Sequence, residues 1–147
     1  MKFAHFNKIS KQIFSATIVT FIIFTFLSCS RKIAFSTSSV VPAAEGSVKI
    51  KKDNNNNYKI KLSMIRLAEP KRLNPPKDFY IVWMETDRNG IKNIGKLETS
   101  SGFLSKTLKS SLETVTTFKP TRFFITAEDK PNIQYPSRQE VMRTASF

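Results

Sequence analysis

The chain has 147 residues, 24 Lys and Arg against 11 Asp and Glu, a formal charge of +13, one cysteine and one histidine. A single cysteine excludes a disulfide within the chain, so the fold must rest on apolar packing alone. The positive balance favours anionic partners such as phosphates or acidic polymers; lysines spread over solvent-facing positions for solubility would give the same total.

Residues 1–11, MKFAHFNKISK, contain Lys2, Lys8 and Lys11 and no acid, and residues 13–28, IFSATIVTFIIFTFLS, contain no charge. A basic start, a short apolar run and small residues at its end describe a secretory signal peptide. Arg31 and Lys32 stop the run short of the roughly 20 residues a membrane-spanning helix needs. The stretch Phe26-Leu27-Ser28-Cys29 resembles a bacterial lipobox in a loose form, with Phe where Leu is usual. That resemblance implies diacylglycerol on the Cys29 thiol, cleavage before Cys29 and acylation of the new N-terminus. One acyl chain binds membranes only marginally, and a second makes attachment stable. An uncleaved, tilted N-terminal helix is the main alternative, because slightly short spans are tolerated. A core cysteine would require the charge-free run to be domain interior. The expected division is a helical lipoprotein signal peptide over 1–28, a lipidated N-terminus and tether over 29–46, and one folded domain over 47–147.

Cleavage would remove His5 and three lysines and leave about 119 residues, with 21 basic against 11 acidic side chains, a formal +10. Without histidine or a free thiol, Ser-His-Asp and Cys-His catalysis are excluded, as are zinc sites built from Cys and His. No catalytic residue, metal site or cofactor is expected. Nucleic acid is not an expected partner, since no recognition motif is present in a chain read as exported. The expected partners are the membrane, through lipid on Cys29, and an anionic envelope polymer or another envelope protein.

In the mature chain, SRKIAFSTSSVVPAAEG (30–46) is rich in Ser, Ala and Thr, and Ile33, Phe35, Val40 and Val41 suggest that part of it packs as an edge strand. SVKIKKDNNNNYKIKLSMIRL follows. Val48 and Ile50 alternate with Lys49 and Lys51, and Ile60 and Leu62 with Lys59 and Lys61, which predicts two strands with one face buried and one wet. Asn54–Asn57 supply the turn, because Asn tolerates left-handed backbone. The result is a hairpin with Lys49, Lys51, Lys59 and Lys61 on its outer face, the candidate anion contact. Asp53, Asn55 and Asn57 fall at alternate positions, as in a calcium loop. The Gly and Glu that such a loop needs at positions six and twelve are replaced by Tyr58 and Met64.

LAEPKRLNPPKD (67–78) is a proline-broken crossing loop. FYIVWMET (79–86) is apolar on both faces, Tyr80, Val82 and Met84 on one and Phe79, Ile81 and Trp83 on the other, which predicts a central strand with Trp83 in the core. Asn89-Gly90 is a strong hairpin signal, and IKNIGKLE returns as the partner strand. Leu104, Leu108 and Leu112 could form a helix stripe, whereas the Ser and Thr density over 103–113 favours strand. TRFFITAE (121–128) is a further two-faced strand, and EVMRTASF is the last. About seven short strands with turns between them predict an all-β fold, a single antiparallel immunoglobulin-like β-sandwich.

The order YIVWMET, NIGKLE and FFITAEDKPNIQYPS is similar to the extracytoplasmic sandwich domain of anti-sigma-K-type factors. The matching residues are Tyr80, Trp83, Gly95, Leu97, Thr126, Glu128 and Pro136. The resemblance implies a sandwich outside the membrane. It does not imply sigma-factor binding, because the helical cytoplasmic domain of those factors has no room before the apolar run. The functional expectation is a non-catalytic, lipid-anchored module of the bacterial cell envelope, in the outer membrane and facing the periplasm. An accessory or sensory module of an envelope signalling system is one alternative. A carboxylate-based glycan hydrolase is the other, and it would need two of Glu85, Asp87, Glu128 and Asp129 to converge within about 5 to 9.5 Å.

Overall fold

The computed structural model describes residues 31–101 and 107–147. The expected signal helix and Cys29 lie outside these residues, as does 102–106, part of the stretch left between strand and helix. From Leu108 onward that stretch is strand.

The described chain is all-β. Its strands are β1 (Arg31–Ala34), β2 (Glu45–Lys52), β3 (Tyr58–Ile65), β4 (Phe79–Thr86), β5 (Ile91–Lys96), β6 (Glu98–Ser101), β7 (Leu108–Thr116), β8 (Pro120–Glu128) and β9 (Glu140–Arg143). They form two antiparallel sheets, ordered β1-β2-β3-β7-β6 and β5-β4-β8-β9. The core lies between them: Val48, Ile60, Leu62 and Met64 of the first sheet meet Tyr80, Val82, Met84, Phe123 and Ile125 of the second. The layering is that of a sandwich, with nine strands among the described residues against the seven or so expected.

The β2–β3 hairpin follows its alternation. Val48 faces Leu62 and Ile50 faces Ile60 toward the core, while Lys49 faces Lys61 and Lys51 faces Lys59 on the outside. Asp53 builds the turn, its Oδ1 accepting the backbone N–H of Asn55 at 2.8 Å and of Asn57 at 2.9 Å. Asn56 takes the left-handed backbone there, with φ 64°. Asp53 is thus occupied in closing the turn. At the second hairpin only Gly90 takes positive φ (68°), because Thr86 Oγ1 closes the loop by donating to the Gly90 carbonyl at 2.8 Å.

The stretch IKNIGKLE is two strands. Ile94 is the extra residue of a bulge between Val82↔Gly95 and Trp83↔Asn93, and a bulge bends its strand. Gly95 has φ +130°. At Leu97 the chain changes sheets: its N–H donates to Tyr80 O at 2.9 Å, and Glu98 already pairs with Ser111 in the first sheet.

Residues 31–46, expected as tether with a packed part, are packed from Arg31 onward. β1 pairs with β2, and Phe35 bridges to Thr144 beside β9. Ser38 Oγ donates to Val141 O at 2.5 Å and accepts from the Val41 N–H at 2.9 Å. The segment therefore ties an edge of one sheet to an edge of the other.

Trp83 is buried, but not in the core between the sheets. It lies on the opposite face of β4 with Ile81 and Phe124, and Phe79 and Ile133 pack against this second cluster. The two-faced pattern of β4 and β8 has this cause: one face meets the other sheet, and the other lies under the 129–139 loop.

Candidate functional site

The outer face of the first sheet carries the candidate contact residues. Register places Lys32, Lys49, Lys61 and Glu113 side by side across β1, β2, β3 and β7, and Lys51, Lys59 and Val115 in a second outward row. The structure therefore brings all four expected lysines together and adds Lys32. Like charges directly opposite repel modestly, and Glu113 relieves part of this. Its carboxylate lies 2.9 Å from Lys59 Nζ and 3.5 Å from Lys61 Nζ. The Lys59 hydrogen bond and charge, then the Lys61 charge, hold the Glu113 carboxyl below the usual range. Lys32, Lys49 and Lys51 remain exposed. Neither Lys32 nor Glu113 was readable from the hairpin's own alternation, because each joins the face through pairing with a strand distant in sequence.

Next to these rows lies one of small side chains, Ala34, Ser47, Ser63 and Ser111. Ala34, Ser47 and Ser63 of this row floor a shallow depression of about 320 Å³ between Lys32 on one side and Glu45 and Ile65 on the other. The depression is open to solvent and contains no candidate nucleophile with an adjacent general base.

The four acids considered for glycan hydrolysis fall at two ends of the β4–β8 pair, Glu85 and Asp87 at one and Glu128 and Asp129 at the other. Glu85 pairs with Arg122, and Glu128 lies opposite Phe79 at the other end of the β4–β8 pair. Six residues of strand separate these ends by about 20 Å. Glu85 contacts Arg122 at 3.4 Å and Asp129 contacts Lys77 at 2.6 Å, while Asp87 is exposed in the turn. Glu128 is buried, its Oε1 accepting from Thr126 Oγ1 at 2.5 Å and from the Ser137 N–H at 2.9 Å. Among the described residues, no group of three or more His, Cys, Asp and Glu is placed to hold a metal ion.

Trp83, Thr126 and Glu128 share one network of hydrogen bonds on the outer face of the second sheet. The Trp83 indole N–H donates to Thr126 Oγ1 at 2.8 Å, and Thr126 hands on to Glu128, which holds Ser137. Asn93 Nδ2 donates to the carbonyls of Pro131 and Ile133 at 3.0 Å each. Together these bonds fasten the loop after β8 across the Trp83 cluster. Tyr80 faces the core, its hydroxyl donating to Ala68 O at 2.8 Å, and burial pushes its phenol up to about 12. Comparison with protein-family models, curated proteins and solved structures gave no significant match to this chain.

Proposed function

We propose that this chain is a non-catalytic, lipid-anchored protein of the bacterial cell envelope, held through Cys29 and presenting its β domain to the periplasm or the cell exterior. The signal-like leader and the lipobox-like FLSC stretch support export and lipidation. The observation that carries the reading is where packing begins. The described β unit starts at Arg31, two residues after Cys29, so cleavage before Cys29 would remove none of the described strands.

The domain itself we read as immunoglobulin-like. The order β2-β3-β7-β6 against β5-β4-β8-β9 corresponds to strands ABED against CFG with one additional strand beside C. β1 is an addition at the ABED edge. Trp83 departs from the pattern, since the tryptophan of such folds packs between the sheets.

A second reading, an accessory or sensory module in envelope signalling, is favoured by the Trp83–Thr126–Glu128 network, which comprises residues shared with the anti-sigma-K-type pattern; its warrant is analogy. Membrane fractionation with and without globomycin tests the anchor. Under the first reading, globomycin makes an uncleaved precursor accumulate, and a Cys29→Ser variant loses its processed, membrane-bound form. Unchanged processing in both experiments would overturn it.

A further inference from the structure

The lysines of the first sheet are gathered at one end. β1 begins with Arg31 opposite Ile50 and runs away from the Asn54–Asn57 turn, so the preceding chain enters the sheet at the turn end. The outward rows on either side of the Arg31 row are Lys51 with Lys59, and Lys32 with Lys49 and Lys61. Lys52 and Arg31 lie at the same end, and both are exposed. Against these seven cations stand two acids, Asp53 in the turn and Glu113 on β7. Farther from the turn, the outward rows change to Ala34, Ser47, Ser63 and Ser111, then Glu45, Ile65 and Lys109.

Two peptide units separate Cys29 from Arg31 and reach at most about 7 Å. A lipid on Cys29 would hold this end of the sheet within a Debye length of the headgroups, about 8 to 10 Å at ordinary ionic strength. Within that distance, each lysine near an anionic surface adds to binding.

We infer that the turn end of the first sheet, centred on Lys32, Lys49, Lys51, Lys59 and Lys61, seats the domain on anionic phospholipid headgroups of the membrane to which Cys29 is fastened. The inference rests on the lipid-anchored reading and adds an orientation to it. Charge complementarity selects the occupant, and the two-residue step from Cys29 to Arg31 brings it within reach. The opposite end of the sandwich and the second sheet are left facing outward for any protein partner.

The test is brief amine acetylation, read residue by residue by mass spectrometry. It uses the full, naturally processed protein in vesicles of phosphatidylcholine with or without phosphatidylglycerol. On the phosphatidylglycerol vesicles, labelling of Lys49, Lys51, Lys59 and Lys61 should fall several-fold while that of Lys71 and Lys130 is unchanged, and high salt should restore it. Equal labelling on both vesicles, with lipid present on Cys29, would overturn the seating and leave the anchor intact. Protection by soluble dextran sulfate but not by the vesicles would overturn it in favour of an anionic polymer. An unmodified Cys29 in the same spectra would overturn both the seating and the anchor.

Discussion

Trp83 on β4 and Thr126 on β8 are joined by a 2.8 Å hydrogen bond from the indole N–H to the threonine hydroxyl, on the face of the second sheet that points away from the first. Both residues are fully buried, so neither can exchange its partner for water. The bond is the first link of a chain through Glu128 to Ser137 that closes the loop over β4 and β8. Thr126→Val keeps the shape, strands the indole N–H and takes one donor from Glu128. It should cost about 1–3 kcal/mol, and Trp83→Ala should cost about 3–5 kcal/mol. Urea unfolding measures both, and a Thr126→Val midpoint equal to that of the parent would remove the network from the account.

The segment after Cys29 offers a sharper contrast. Were residues 31–46 a tether, Ser38→Ala would be neutral. Ser38 is buried, with its hydroxyl bonded to Val141 O and to the N–H groups of Val40 and Val41. We expect a loss of about 1–2 kcal/mol, measured by the same unfolding experiment.

Two glycines should respond differently to substitution. Gly90 has φ +68° with nothing within 4 Å of an added Cβ, so Asn, which tolerates the left-handed region, should be accepted there with little loss. Gly95 has φ +130°, and its added Cβ would lie 3.1 Å from Leu112 Cδ1. Gly95→Ala should therefore destabilise by about 1–3 kcal/mol, and Gly95→Asn should give no relief. Thermal denaturation of the three variants checks the order.

Stability should fall at both ends of the pH scale. Hydrogen bonds from the Asn57 and Asn55 backbone and the Asn57 side chain lower the Asp53 pKa from 3.8, and Lys59 and Lys61 lower that of Glu113 from 4.5. A depressed folded pKa gives stability present above the unfolded value and lost as pH falls through the folded one, so these losses begin below about pH 4.5. Tyr80 works in the other direction. Its pKa is raised by burial from 10.0 to about 12, so its contribution is complete below pH 10 and is lost as pH rises toward 12. Tyr80→Phe should flatten the alkaline arm, and Asp53→Asn with Glu113→Gln the acid arm, in unfolding followed by circular dichroism.

Much of the fold was legible because its signals were local. Lysine alternating with Val, Ile and Leu over 48–62 fixed a hairpin and its outer face, and the two-faced pattern of 79–86 marked β4 as central. What was hidden depends on pairing across the chain. Residues 30–46 read as a tether rich in Ser, Ala and Thr with a part packed as an edge strand; β1 is that edge strand, but its register with β2 and the bridge from Phe35 to Thr144 cannot be seen in its own composition. IKNIGKLE reads as one strand because a bulge at Ile94 and a crossing at Leu97 leave the apolar alternation intact. Trp83 is buried as its two-faced strand predicts, but under the loop after β8 and not between the sheets, because an alternating strand does not reveal which side meets a sheet and which a loop. Four lysines of the candidate face followed from periodicity, while Lys32 and Glu113 needed the sheet order.

We propose that the chain is exported and fastened to a membrane through its only cysteine, Cys29. The mass and sequence of the N-terminal peptide, from protein extracted with detergent from the producing cells, test it most directly. The expected result is a mature chain whose first residue is Cys29, carrying diacylglycerol on its sulfur and an acyl group on its amine. A chain that begins at any other residue, or a full-length chain in the cytosolic extract with a free Cys29 thiol, would contradict it.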